Sequence, residues 1–186
     1  MARGNTENVV LGALTFYIAP YEGGELDGLK TYCTDENLIG WTQGGSTFTY
    51  TPEIKNIEDD KGMVRRTFMS KANAELKTGF LTIDTQSISE ILSVGKFTPG
   101  EAGGVNKLEL GGGKSALKRY IVVGEYEDDG DDGGHNLRVG MVATNTAALE
   151  LIFKADQETV PNVTFSAASN GVNDTIVVIE EDKPAA

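Results

Sequence analysis

Hydrophobic and polar positions alternate over short stretches through most of this chain, the two-residue period of β-strands. Val9–Ala19 (VVLGALTFYIA) is apolar on both alternations, which predicts a strand covered on both faces. Glu22–Asn37 reads as a glycine- and acid-rich connection, Leu38–Trp41 as a short apolar step, and Thr42–Gly45 as a turn. Ser46–Ile54 (STFTYTPEI) alternates strictly, with Phe48 and Tyr50 on one face and Thr47, Thr49 and Thr51 on the other. Its expected antiparallel partner is Lys71–Ile83. The segment between them, Lys55–Met69 (KNIEDDKGMVRRTFM), holds one glycine, Gly62, and is far longer than the usual hairpin turn of two to five residues. Arg119–Tyr126, Asn136–Thr144, Ala148–Lys154, Asn162–Ala168 and Thr175–Glu180 read as further strands, and Lys107–Leu110 as a short one.

One helix is predicted, over Gln86–Val94. Ser87-Ile88-Ser89-Glu90 fits a capping box, Ile88, Ile91 and Leu92 form an i, i+3, i+4 stripe, and Gly95 is a suitable stop. So short a helix needs a sheet to pack against. The fold class expected is therefore mainly β: an antiparallel β-sandwich or curled sheet with one short flanking α-helix and a long β-hairpin loop. Residues 1–186 suit a single domain, with about 1–8 an N-terminal arm, 55–69 the long loop and 182–186 a polar tail. A chain of this size buries about 70% of its unfolded surface, enough for a core without disulfides or metals.

Composition sharpens this in two ways. Glycine supplies 23 of the 186 residues, which favours many turns and short strands. The net charge of −12 argues against a protein that grips nucleic acid through its phosphates, since that grip comes from Lys and Arg displacing counterions. Cys33 is the only cysteine, so no intrachain disulfide forms. The apolar run after Arg3 has Glu7 and Asn8 at its mouth and no small-residue cleavage site, so it reads as a first strand and not as a signal peptide. No stretch approaches the ~20 apolar residues of a membrane helix. A soluble chain folded in a cytoplasm is the expectation, with no membrane contact.

Site chemistry is sparse. His135 is the only histidine and has no nucleophile or cysteine placed beside it, which leaves neither a catalytic set nor a tetrahedral zinc site. Gly111-Gly112-Gly113-Lys114-Ser115 suggests a phosphate-binding loop, but the first glycine of that motif would fall on Leu108, and a strand follows where a helix is needed. Glu127–Gly134 has the composition of a calcium loop without its spacing: counted from Asp129, position twelve is Gly140. Glu125–Asp132 reads as an acidic hairpin tip. Asn162 and Asn173 begin glycosylation sequons that carry no weight without a secretory signal. No catalytic residue, metal ligand or cofactor site is expected.

The order of features carries a resemblance. Gly40-Trp41-Thr42-Gln43-Gly44-Gly45-Ser46-Thr47-Phe48 leads into the long charged hairpin, followed by Ala74-Glu75-Leu76-Lys77-Thr78-Gly79 and the short helix. Ala148–Val160, Val163-Thr164-Phe165-Ser166-Ala167 and Thr175–Glu180 complete it. The chain resembles the tail tube (major tail) proteins of tailed bacteriophages, of the kind found in phages and prophages of Gram-positive bacteria. That resemblance implies a virion structural protein, made in the host cytoplasm, whose homo-hexameric rings stack into a tube through which DNA passes without specific binding. It implies no catalytic residues and no cofactor, and as partners other copies of the chain, the tape measure, the tail terminator, and the baseplate or distal tail protein. The long hairpin would reach the neighbouring ring, with Glu58, Asp59, Asp60, Lys61, Arg65, Arg66 and Phe68 as contact residues. Alternative readings are a head-decoration or tail-completion protein, or a β-sandwich binding module.

Overall fold

The computed structural model describes residues 13–40, 42–58, 65–81, 84–92, 94–111, 117–127, 136–146, 148–151 and 160–182. Their regular elements are β1 (Thr15–Pro20), β2 (Leu38–Gly40), β3 (Thr42–Glu58), β4 (Arg65–Phe80), helix α1 (Thr85–Leu92), β5 (Lys96–Thr98), β6 (Lys107–Glu109), β7 (Tyr120–Tyr126), β8 (Leu137–Asn145), β9 (Asn162–Ala167) and β10 (Val177–Glu181). The chain is mainly β and antiparallel, with one short α-helix. Eight strands form one sheet in the order β2-β1-β7-β8-β9-β4-β3, with β10 paired to β8 alone; β5 and β6 form a separate small hairpin.

Connectivity forces this sheet to curl. Gly40 ends β2 at one edge and Thr42 begins β3 at the other, and two residues apart along a chain span at most ~7.6 Å. Laid flat, the six strand spacings between those edges would cover about 29 Å. The edges must therefore wrap round to meet. Two contacts show that they do. The rings of Phe16 on β1 and Phe80 on β4 meet edge to face at 5.7 Å, and the Thr42 hydroxyl donates to the Leu14 carbonyl at 3.1 Å.

The strict alternation then sorts residues between two cores. Phe16, Ile18, Tyr120, Val122, Met141, Val163, Phe165 and Leu76 face inward, where Ile91 of α1 joins them. On the outer face, Tyr17, Ala19, Ile121 and Val123 are covered by Leu26 and Leu29 from the segment between β1 and β2. β1 and β7 are thus buried on both faces, as the doubly apolar run predicts for the part of it that is described. Residues 9–12 of that run lie outside the described residues.

Several local expectations are corrected. The helix begins earlier than the capping box implies: the Asp84 carboxylate accepts the Ser87 N–H at 2.7 Å, so Asp84 is the cap and Ser87 is already the third helical residue. Ser87 and Ser89 are buried, because the helix presses closely onto the sheet, and the Ser87 hydroxyl reaches the Ile39 carbonyl. Thr42–Gly45 is no turn but the start of β3, where the register slips and Gly44 and Gly45 adopt φ of 84° and 82°. Residues 148–151 form no strand despite Leu149 and Leu151, since β8 already pairs β7 on one side and β9 and β10 on the other. Residues 152–154 of that expected strand lie outside the described residues.

Gly140 permits the outer layer to close. A Cβ there would overlap Leu29 Cδ2 and stand 2.9 Å from Cδ1, and Leu29 is fully buried. Gly140→Val is therefore expected to lift the covering segment and destabilise the fold by about 1–3 kcal/mol, as overpacking does. Urea denaturation with an unchanged midpoint would show that the segment yields freely.

Candidate assembly surface

β3 and β4 are 17 and 16 residues long, well beyond the five or six of an ordinary strand. β9 pairs β4 only over Glu75–Gly79, so from Arg65 to Ala74 the hairpin is paired to no third strand among the described residues. It leaves the body as a two-stranded ribbon about 33 Å long at the usual rise per residue. The stretch Lys55–Met69, expected as a loop, is mostly ladder: Lys55–Glu58 and Arg65–Met69 pair in register, and residues 59–64 lie outside the described residues. Short cross-strand bonds hold it. The Thr67 hydroxyl meets Asn56 Oδ1 at 2.7 Å, Ser46 and Thr78 hydroxyls meet at 2.9 Å, and the Tyr50 hydroxyl points to Met69 sulfur at 3.6 Å.

Register assigns the ribbon two faces, since residues directly opposite share one. The first carries Phe48/Leu76, Tyr50/Ala74, Pro52/Ala72 and Ile54/Met69, an apolar stripe continuous with the inner core. Between Glu53/Lys71 and Ile54/Met69 the register slips by one residue, and the extra residue, Ser70, donates its hydroxyl to the Glu53 carbonyl at 3.2 Å. The second face is polar near the body, with threonines opposite Lys77, Glu75 and Asn73. Further out it carries Lys55/Phe68 and Ile57/Arg66. Ile54, Ile57 and Met69 are about 60% exposed and Phe68 43%. Covering them would stabilise a contact by roughly 1 kcal/mol or more each.

The residues expected at this surface divide accordingly. Glu58 and Arg65 pair with each other at 3.0 Å, so they brace the ribbon internally. Arg66 and Phe68 lie on the second face beside Ile57 and Lys55. Asp59, Asp60 and Lys61 lie outside the described residues, as do Met63 and Val64. Ile54 and Ile57 are the members that a reading by charge misses. Ile54 ends the strict alternation of Ser46–Ile54, whereas Ile57 falls on the opposite alternation and carries no such signal.

A second feature was not expected at all. Arg138 on β8 is 2% exposed, and its guanidinium donates to the Glu125 carboxylate at 2.7 Å and to both oxygens of Asp182 at 2.8 and 2.9 Å. Glu125 is the buried cross-strand partner of Arg138, not the start of a solvated tip, because β7 continues through it. Asp182, assigned to the polar tail, is the other half of the anchor. The Glu180 carboxylate accepts the Leu29 N–H at 2.9–3.0 Å, and Lys30 lies 3.9 Å from Asp182. These bonds tie the last strand to the segment that covers the outer core. Burial, reinforced by Glu125, pushes the Tyr17 phenol and the Cys33 thiol up to about 12, so both stay protonated near neutral pH. Cys33 is an inert filler rather than a nucleophile. No helix among the described residues is long and apolar enough to cross a membrane. No known protein-family model matches the chain, nor does any curated protein sequence.

Proposed function

We propose that this chain is a self-assembling structural subunit of the bacteriophage tail-tube kind, forming hexameric rings that stack around a channel. The observation that carries the reading is the ribbon. An isolated two-stranded hairpin is marginally stable at best in water, and this one also holds out Ile54, Ile57, Phe68 and Met69 to solvent. A monomer gains nothing from that arrangement. A second copy that covers the ribbon offsets its cost, and a contact between different patches of two copies repeats without closing. The curled antiparallel sheet with one helix and the projecting hairpin are the parts that the tail-tube resemblance implies. The charge of −12 suits a wall past which DNA slides, because basic residues there would hold each phosphate. In this reading no residue is catalytic and no cofactor is held.

Sedimentation velocity tests the proposal. The mass of the particles should rise steadily with protein concentration, as open-ended growth requires. One species of constant mass at every concentration, a closed trimer for instance, would remove the tube reading and favour a decoration protein.

A further inference from the structure

The ribbon leaves a cleft at its own base. β9 stops at Ala167, and further along the same edge of β8 its place is taken by β10, with Val177 opposite Met141. The loop between them is residues 168–176. β4 follows neither strand but continues into the ribbon. The space left is a cavity of about 760 Å³, with Tyr50, Met69 and Ala72 of the ribbon's first face on one side and Ala167, Ile176 and Val177 on the other. Ala167 and Val177 also pack against the inner core, so the cleft is that core's open end. Lys71 and Asp174 stand among the polar residues at its margin.

The far wall is preformed. Asn170 is 4% exposed; its Oδ1 accepts the Val172 and Asn173 N–H groups at 3.0 and 3.2 Å, and its own N–H donates to the Thr175 carbonyl. The Tyr21 hydroxyl lies 2.6 Å from the Asn170 carbonyl, and the Arg119 guanidinium stacks 5.1 Å above the Tyr21 ring. A turn held in this way lowers the ordering cost of binding beside it.

We infer that the occupant of this cleft is the outer ribbon of a second copy, entering with Phe68 and Ile57. This deepens the proposed assembly and rests on it. Two observations select that occupant. The ribbon's first face forms the cleft wall, whereas Phe68 and Ile57 lie on its second face, so one ribbon presents a wall and a plug at once. An extended residue fills about 160 Å³ at strand and sheet spacings, so the cleft takes about five of them, enough for Ile57 and Phe68 with their nearest neighbours on the two strands. Charge does not oppose entry: residues 54–69 hold four basic and three acidic side chains, and the cleft margin carries Lys71 and Asp174, one of each sign. Plug and cleft are different patches, so the contact is heterologous and propagates.

Two variants separate the halves. Ile57→Asp with Phe68→Asp removes the plug and leaves the cleft; Ala72→Trp fills the cleft and leaves the plug. All three sites are on the ribbon, so melting temperatures should match the parent chain and confirm folding. Alone, each variant should fail to grow beyond the smallest particle in sedimentation. Mixed in equal amounts, they should join through the one surviving contact and stop there, as a pair of subunits or, if rings form first, a pair of rings. Growth of the Ala72→Trp variant to the parent's size, or a mixture whose components stay apart while the parent assembles, would overturn the cleft as receptor and leave the assembly reading standing. A parent chain that assembles at no concentration would remove both.

Discussion

A chain in which residues 55–68 are replaced by Asn-Gly is expected to fold normally and to lose polymer growth. Ile54 and Met69 are directly opposite in the ladder, so a two-residue turn of this type can join them without disturbing the register below. None of the described residues in the removed segment belongs to either core cluster, and thermal stability should stay within about 1 kcal/mol of the parent, as for exposed surface changes. Assembly should suffer far more. Losing Ile57 and Phe68 takes away about 3 kcal/mol of burial per contact, which raises the concentration needed for growth about 100-fold. Light scattering against concentration measures this threshold. Growth of the shortened chain at the parent's threshold would mean that the outer ribbon is not the connector.

The second large effect concerns stability alone. Arg138→Leu removes the guanidinium that binds buried Glu125 and leaves behind a carboxylate only 4% exposed. Breaking such a buried pair from one side typically costs about 3–5 kcal/mol. Arg138→Leu combined with Glu125→Leu should recover much of that loss, because the uncompensated charge goes as well. Acid titration gives an independent reading. The hydrogen bonds and charge of Arg138 hold the Asp182 carboxyl below its ordinary value. A carboxylate depressed in the folded state contributes stability above its unfolded pKa of about 3.9 and loses it as pH falls through the folded value. The parent should therefore lose this contribution below about pH 4, and the Arg138→Leu chain should show a flatter acid limb there. Equal denaturation midpoints for parent and single variant would contradict the anchor.

Strand periodicity made most of the sheet legible in the residues themselves. Tyr120–Tyr126, Asn162–Ala167 and Val177–Glu181 fall where alternation or an apolar run places strands, because a residue's side of the pleat is a local property. What was illegible depends on neighbours. Leu149 and Leu151 alternate as a strand would, yet every edge of β8 within reach is already paired. Arg138 and Glu125 look like ordinary polar positions until β7 and β8 set them opposite each other and bury both. The assembly surface was half legible. Length alone marked Lys55–Met69 as unusual, but its charges drew attention to Glu58 and Arg65, which satisfy each other. Ile54 and Ile57 emerge as exposed apolar positions only once the register divides the ribbon into faces.

That ladder also changes the physical account of assembly. A flexible loop would have to surrender about 1–2 kcal/mol per residue in backbone entropy when it docks. Here the paired residues are ordered before any partner arrives, and more of the burial energy is left for the contact.

Negative-stain electron microscopy of the concentrated protein tests the central claim most directly. The account predicts tubes of constant width, with hexameric rings in end-on views, that vanish when residues 55–68 are replaced by Asn-Gly. Isolated monomers or closed trimers at every concentration, with no tubes from the intact chain, would contradict it.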